Sequence, residues 1–142
     1  MNAWLHPFSW VHLDWVLVVV VGWLLIGVLG VFALRRFRLV AVVLFPAGGL
    51  LGLLLLGVGI SAAFSVPEVA ILPIGLPQLP FHLRLDSLSA FFLIVIGGVG
   101  AGVSAFAAGY FRQGEGTPPG LICLEYHVFL ASMAMVVIAD DG

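Results

Sequence analysis

The sequence holds no lysine and one cysteine, and only 8% of its 142 residues are charged. Each scarcity excludes something. Soluble domains carry roughly 25% charged residues, so water is not the main solvent of this chain. Five arginines against seven acids give a net charge of −2, which leaves no basic footprint for nucleic acid. With Cys123 alone there is no internal disulfide and no Cys/His ligand cluster, and neither redox compartment nor metal can be read from it. Cys123 reads as a small packing residue in a helix.

What fills the chain instead is hydrophobic, at 63% of residues, gathered into four long runs. A membrane span needs about 20 apolar residues at about 1.5 Å rise each to cross a hydrocarbon core about 30 Å thick. Residues 15–34 meet that length, and 14 of these 20 are Val, Leu, Ile or Phe. At −0.3 to −0.6 kcal/mol each, these give an insertion term of roughly −4 to −8 kcal/mol. The second span, 39–66, is 28 residues long and must tilt, protrude or bend, with Pro46 as the site for a bend. Spans three and four are expected at 88–110 and 123–139, the latter beginning with Glu125, Tyr126 and His127. The expected fold is all-α: a single polytopic membrane domain with four transmembrane helices and a short extracytoplasmic hairpin-like loop at 67–87. The first span is expected to be a retained anchor rather than a signal peptide, because no positive residue precedes it and its apolar run is long.

Arginine sets the expected orientation, since positive residues in short loops stay on the cytoplasmic side. Arg35, Arg36 and Arg38 fill the first loop and Arg112 opens the third, whereas Arg84 alone lies in the second. The N-terminus, the second loop, and Asp140 with Asp141 are therefore expected outside the inner membrane. Trp4, Phe8, Trp10 and Trp15, with His6 and His12 nearby, would then lie at the outer headgroup level. A short interfacial helix over Trp4 to Leu13 is an alternative that Pro7 weakens.

The outer loop interleaves Pro67, Pro73, Pro77 and Pro80 with aliphatic residues, then alternates Phe81-His82-Leu83-Arg84-Leu85-Asp86. Alternation suits a strand, with Gly75 or Pro77 near the turn, so a hairpin packed on the helix ends is expected. Asp86 reads as the N-cap of the third helix in preference to an ion-handling group. Small residues suggest the packing faces: Gly48 and Gly52 in the second span, and Gly98, Gly102, Ala105 and Gly109 in the third. A dinucleotide motif at Gly97 to Gly102 is set aside because no strand precedes it.

Titratable groups in the bilayer are the test for function. The expected first three spans contain none, and in the fourth only Glu125 and His127 lie near the cytosolic end. Such a chain holds no relay across the membrane and is not a self-sufficient pump. His127 could exchange protons with the cytosol, with an interfacial hydrogen-bonding role as the plainer reading. Glu125 snorkels or extends the loop. No serine sits in a nucleophile context, and serines within spans are expected to bond their own helix or a neighbour, so there is no catalytic residue, cofactor-binding residue or metal ligand.

The run Leu83-Arg84-Leu85-Asp86-Ser87-Leu88-Ser89-Ala90-Phe91-Phe92 carries a resemblance. So do Gly109-Tyr110-Phe111-Arg112 with Gly114-Glu115-Gly116, and Phe129-Leu130-Ala131-Ser132-Met133-Ala134-Met135 running on to Asp140-Asp141. These segments resemble the N-terminal part of the antiporter-like proton-pumping subunits, a family that spans complex I, Mrp-type antiporters and membrane-bound hydrogenases. Thr117-Pro118-Pro119-Gly120-Leu121-Ile122-Cys123 and His127-Val128-Phe129-Leu130 look most like hydrogenase-4 component B of the NiFe hydrogenases. The resemblance covers about Phe81 to Gly142 and reaches the first two spans only in character.

The resemblance implies a subunit of about fourteen helices with two inverted repeats, each containing a broken helix. Here only the three leading helices and the first helix of the first repeat would be present. The Trp-Glu pair of the next helix and the later lysines of the proton path lie outside this sequence, which by the resemblance looks like an N-terminal fragment, a truncated gene or a split subunit, expected to be inactive alone. Asp86 and Asp140 match acids at helix ends. Quinone, Fe-S or NiFe centres would belong to partner subunits of a complex I-like or hydrogenase complex. The competing readings are a small oligomeric channel and a membrane anchor or assembly protein.

Overall fold

The computed structural model describes residues 11–76, 79–110 and 117–140, with the side chains of 73–80 also outside the description. Four helices in it are long and apolar enough to cross a membrane: His12–Phe32, Phe37–Ala63, Ser87–Tyr110 and Pro119–Ile138. We number them first to fourth. Between the second and third lies an antiparallel hairpin of β1 (Glu68–Leu76) and β2 (Leu79–Leu85). In hydrocarbon every backbone N–H and C=O must be satisfied within the protein, which is why the apolar runs become helices.

The helix bounds differ from the sequence expectation in instructive ways. The first helix starts at His12 and ends at Phe32, earlier than the expected 15–34. Its start is moved by a carboxylate from elsewhere in the fold. Val11 has no side chain able to cap, and Glu68 of β1 instead accepts hydrogen bonds from the backbone N–H groups of His12 (3.3 Å) and Leu13 (2.9 Å). Asp14 adds a bond to the Val11 N–H at 3.2 Å. The second helix runs from Phe37 to Ala63 rather than from 39 to 66. The bend expected at Pro46 takes the form of a π turn over Val40–Leu44. Pro46 has no N–H to offer the carbonyl four residues back, and the wider turn accommodates that gap. The fourth helix begins at Pro119, with Pro118 before it, four residues earlier than expected; proline is pre-organised for the first helical position.

All four helices have one end at the hairpin and one near the arginines. Glu68 ties β1 to the first helix, Asp86 of the β2 side leads into the third, and the fourth closes onto β2. There Leu83 pairs with Ala139, and the Asp140 N–H donates to the His82 carbonyl at 3.0 Å. At the opposite end Arg35, Arg36 and Arg38 are exposed between the first and second helices. In β2 the expected alternation holds, with Leu83 and Leu85 buried and Arg84 exposed. The hairpin register slips between Leu72 and Gly75, where Pro73 has no N–H for the ladder. Leu76 faces Leu79 at the closed end, and Pro77 lies outside the described residues. Trp4, His6, Phe8, Trp10, Arg112, Glu115 and Asp141, to which the sequence pattern assigned places, also lie outside them.

The second helix packs mainly on the third, and the first on the fourth. Both pairings rest on backbone contact at glycine. A Cβ on Gly97 would come within 2.6 Å of the Gly52 carbonyl and of the Leu56 nitrogen, and one on Gly30 within 2.8 Å of the Gly120 carbonyl. Gly48 and Gly52 are buried in the helix interfaces. The stripe expected on the third helix is displaced by one residue. Gly102, Ala105 and Gly109 are exposed, and a Cβ on Gly102 or Gly109 would meet nothing within 4 Å, while one on Gly98 would meet only a Leu56 methyl, at 3.3 Å. The packing face is Gly97, Gly100, Ser104 and Ala107. Two small-residue stripes lie side by side on this helix, about 100° apart at 3.6 residues per turn. Only the partner helix distinguishes them.

This displacement is testable. Gly97→Leu should destabilise the bundle by about 1–3 kcal/mol or more, as overpacking does, whereas Gly102→Leu should be near neutral. Thermal unfolding of both variants in lipid nanodiscs measures the difference.

Candidate functional site

The polar side chains of the bundle interior converge on His127 of the fourth helix. It lies eight residues into that helix, about 12 Å from its start at 1.5 Å per residue, and is fully buried. The cytosolic boundary position expected for it is thereby replaced by an interior one. The reason is the earlier start of the helix at Pro119, which moves His127 inward by a full turn.

Its surroundings come from all four helices. Nδ1 is 2.7 Å from the Cys123 carbonyl and 3.5 Å from Cys123 Sγ. A carbonyl only accepts, so Nδ1 carries the hydrogen, and in the neutral ring Nε2 is left as a bare acceptor. Nε2 is buried and has no hydrogen-bond partner among the described residues. It abuts Gly48 of the second helix at the place a Cβ would occupy. The same glycine's carbonyl accepts the indole N–H of the buried Trp23 from the first helix at 3.1 Å. Phe45 packs on the imidazole with ring centroids 5.6 Å apart, and on the neighbouring Tyr126 at 5.7 Å. The Tyr126 hydroxyl donates to the Gly100 carbonyl (2.7 Å) and lies 3.2 Å from Ser104 Oγ, joining the third helix.

The other sequence-predicted residues do not join this cluster. Glu125 is exposed on the outer side of the fourth helix. Asp86 is at the hairpin end, where its Oδ1 accepts the Ser89 N–H at 2.8 Å and so caps the third helix. That backbone bond is the main cause holding its carboxyl below the usual carboxylate range, and Arg84, with Nε 3.8 Å from Oδ2, adds to it. Asp140 is exposed and contributes its backbone N–H to β2. The serines behave as spans require: Ser61, Ser65 and Ser132 bond carbonyls of their own chain four residues back, and Ser89 reaches the Val137 carbonyl of the fourth helix at 2.9 Å.

Sequence reasoning passed over Trp23, Tyr126 and Ser104 as partners, and Glu68 altogether. Trp23 carried a signal, because tryptophan in mid-span is away from the interface it prefers and needs a partner for its N–H. Glu68 binds both the backbone start of the first helix and the His12 ring, whose Nδ1 is 2.7 Å from Oε1. Chemically, the His127 cluster offers a neutral imidazole with one open acceptor in an apolar interface. No group of three His, Cys, Asp or Glu suited to a metal occurs among the described residues.

Comparison with known proteins adds an independent line. Residues 72–118, from within β1 through the third helix, match the family described as NADH-Ubiquinone oxidoreductase (complex I), chain 5 N-terminus. NADH-quinone oxidoreductase subunit L of Mycobacterium tuberculosis, in strains CDC 1551 / Oshkosh and ATCC 25618 / H37Rv, is 32% identical over 84 residues. That stretch is 58% of this chain and 13% of each relative, so the chain spans only a small part of their length. No solved structure matches. Both matches are to complex I subunits, and each covers only part of this chain.

Two caps can be tested in nanodiscs. Asp86→Ala should cost about 1 kcal/mol, as loss of an N-cap does, and Asp86→Asn much less. Because the folded carboxyl titrates below its unfolded value, the wild-type cap should hold through the unfolded carboxylate range and be lost as pH falls through the folded value. Asp86→Asn should lack that acid-dependent loss. Glu68→Gln should fray the first turn of the first helix, seen as faster amide exchange at His12 and Leu13.

Proposed function

We propose that this chain supplies the leading helices of a proton-translocating, antiporter-like subunit in a membrane-bound respiratory or hydrogenase complex. The observation that carries the reading is the match over residues 72–118, which falls on the hairpin and third helix that organise one end of the bundle. In this reading the chain is a scaffold. It packs sideways against other membrane subunits, and their electron carriers, quinone or metal centres drive ion movement in helices other than these four.

Several finer features belong to the same proposal. The segment Thr117 to Cys123 and the run His127-Val128-Phe129-Leu130 favour the hydrogenase-4 component B branch. The arginine end faces the cytoplasm and the hairpin end lies outside the inner membrane, in keeping with the charge asymmetry of Arg35, Arg36 and Arg38 against Arg84. The acid-histidine pair at the outer end, Glu68 with His12, then fixes the hairpin to the membrane-facing bundle rather than carrying ions.

Two experiments together test this. Purified chain in liposomes should give no pH-driven dye quench above protein-free vesicles, and tagged chain in its native membrane should copurify with other subunits of an electron-transfer complex. Ion flux from the isolated chain would contradict the scaffold reading in favour of a channel. Copurification without any effect of the chain's deletion on proton pumping would favour an anchor or assembly role.

A further inference from the structure

We propose that His127 and the π turn of the second helix form a proton-sensitive latch, in which Gly48 covers Nε2 until proton uptake there drives the second helix off the fourth. The proposal stands on the geometry of this chain and does not depend on the family reading.

Three observations meet at one contact. First, the Cys123 carbonyl fixes the hydrogen on Nδ1, so the only open lone pair of the ring is at Nε2, buried and without a partner among the described residues. Second, the surface covering that lone pair is the backbone of Gly48, whose α-hydrogen points toward it from where any other residue would carry a Cβ. A Cα–H is a weak donor, here polarised by the Trp23 N–H bonded to the same residue's carbonyl. There is no room for water between them. Third, the π turn Val40–Leu44 lies one turn before Gly48, and Phe45, at its end, packs tilted against the imidazole.

A π turn holds one residue more than the α turn it replaces. Pro46 withholds the N–H that an α turn would need there, so the hydrogen-bond ladder of the second helix is interrupted just before Gly48. The second helix thus contains a built-in hinge at the point where it meets His127.

Protonation supplies the force. Hydronium gives its proton to Nε2, forming an N–H bond and leaving water, and the ring becomes a cation with a donor pressed against a Cα–H. The groups facing it from each element offer no counter-charge. They are Trp23 of the first helix through Gly48, Phe45 and Gly48 on the second, Ser104 of the third through Tyr126, and Cys123 and Tyr126 on its own helix. Arg35, Arg36 and Arg38 are exposed at the helix end, and Glu125 is exposed on the far side of the fourth helix. An unpaired buried charge is strongly disfavoured, so proton uptake and the closed contact exclude one another. Opening the contact admits water to Nε2–H.

The test uses the whole chain in lipid nanodiscs, with nitrogen-15 in histidine and spin labels at the exposed positions Leu50 and Val128 in a Cys123→Ala background. Both signals are followed between about pH 8 and pH 5, the window in which a histidine changes charge. The expected result is a His127 ring protonated only at Nδ1 at high pH. It gains a proton at Nε2 on acidification with the same midpoint as a lengthening of the Leu50 to Val128 distance. His127→Gln should hold one distance throughout, and Gly48→Ala, whose methyl enters the space of Nε2, should give the longer distance at every pH. A ring that stays bare at Nε2 across the range overturns the latch, as does proton uptake with an unchanged distance. A distance change that persists in His127→Gln also overturns it. If Gly48→Ala fails to fold, the comparison of wild type with His127→Gln still decides.

Discussion

Everything in this bundle depends on how closely helix backbones can approach one another. In a bilayer the lipid tails are as apolar as leucine, so burying leucine against leucine gives little drive for association, and packing at small residues takes its place. The Gly52–Gly97 contact joins the second and third helices, and Gly30–Gly120 joins the first and fourth. Once these pairs close, side chains otherwise too large for the interface find defined places. Trp23 reaches the Gly48 carbonyl, and Tyr126 reaches that of Gly100. The two larger apolar clusters, one toward the hairpin and one toward the arginines, are held on either side of this polar layer, and Tyr126 packs against both.

The hairpin fixes the other dimension. A membrane helix whose first N–H groups enter the headgroup region needs acceptors, and the chain draws them from the hairpin as well as from its own turns. Glu68 serves the first helix from a strand more than fifty residues on, while Asp86 serves the third from the adjoining residue. The fourth helix ends by pairing with β2. A short two-stranded ribbon is marginal alone in water, but with Leu83 and Leu85 buried against the helices it becomes part of the core.

Most of this architecture was legible in the sequence because it stems from local composition. Three apolar runs of sufficient length with a shorter fourth, an alternating strand before Asp86, and a capping aspartate follow from local pattern. The features that were not legible depended on long-range partners. Helix starts moved where a distant carboxylate or an N-terminal proline could satisfy backbone donors, as at His12 and Pro119. The glycine stripe of the third helix could not be chosen from two adjacent stripes without its neighbour. His127 was placed too near the boundary for the same reason: its depth is set by Pro119, eight residues earlier, and its significance by Gly48 on another helix.

The most direct measurement is the reactivity of the lone cysteine. Cys123 lies fully buried against Ile26 and Gly30 of the first helix, within the packing that also positions His127. A membrane-permeant maleimide should leave Cys123 unmodified in native membranes and label it completely once the bundle is denatured. Rapid labelling in the native membrane would contradict the close packing of the first and fourth helices, on which the placement of His127 and of the whole interior rests.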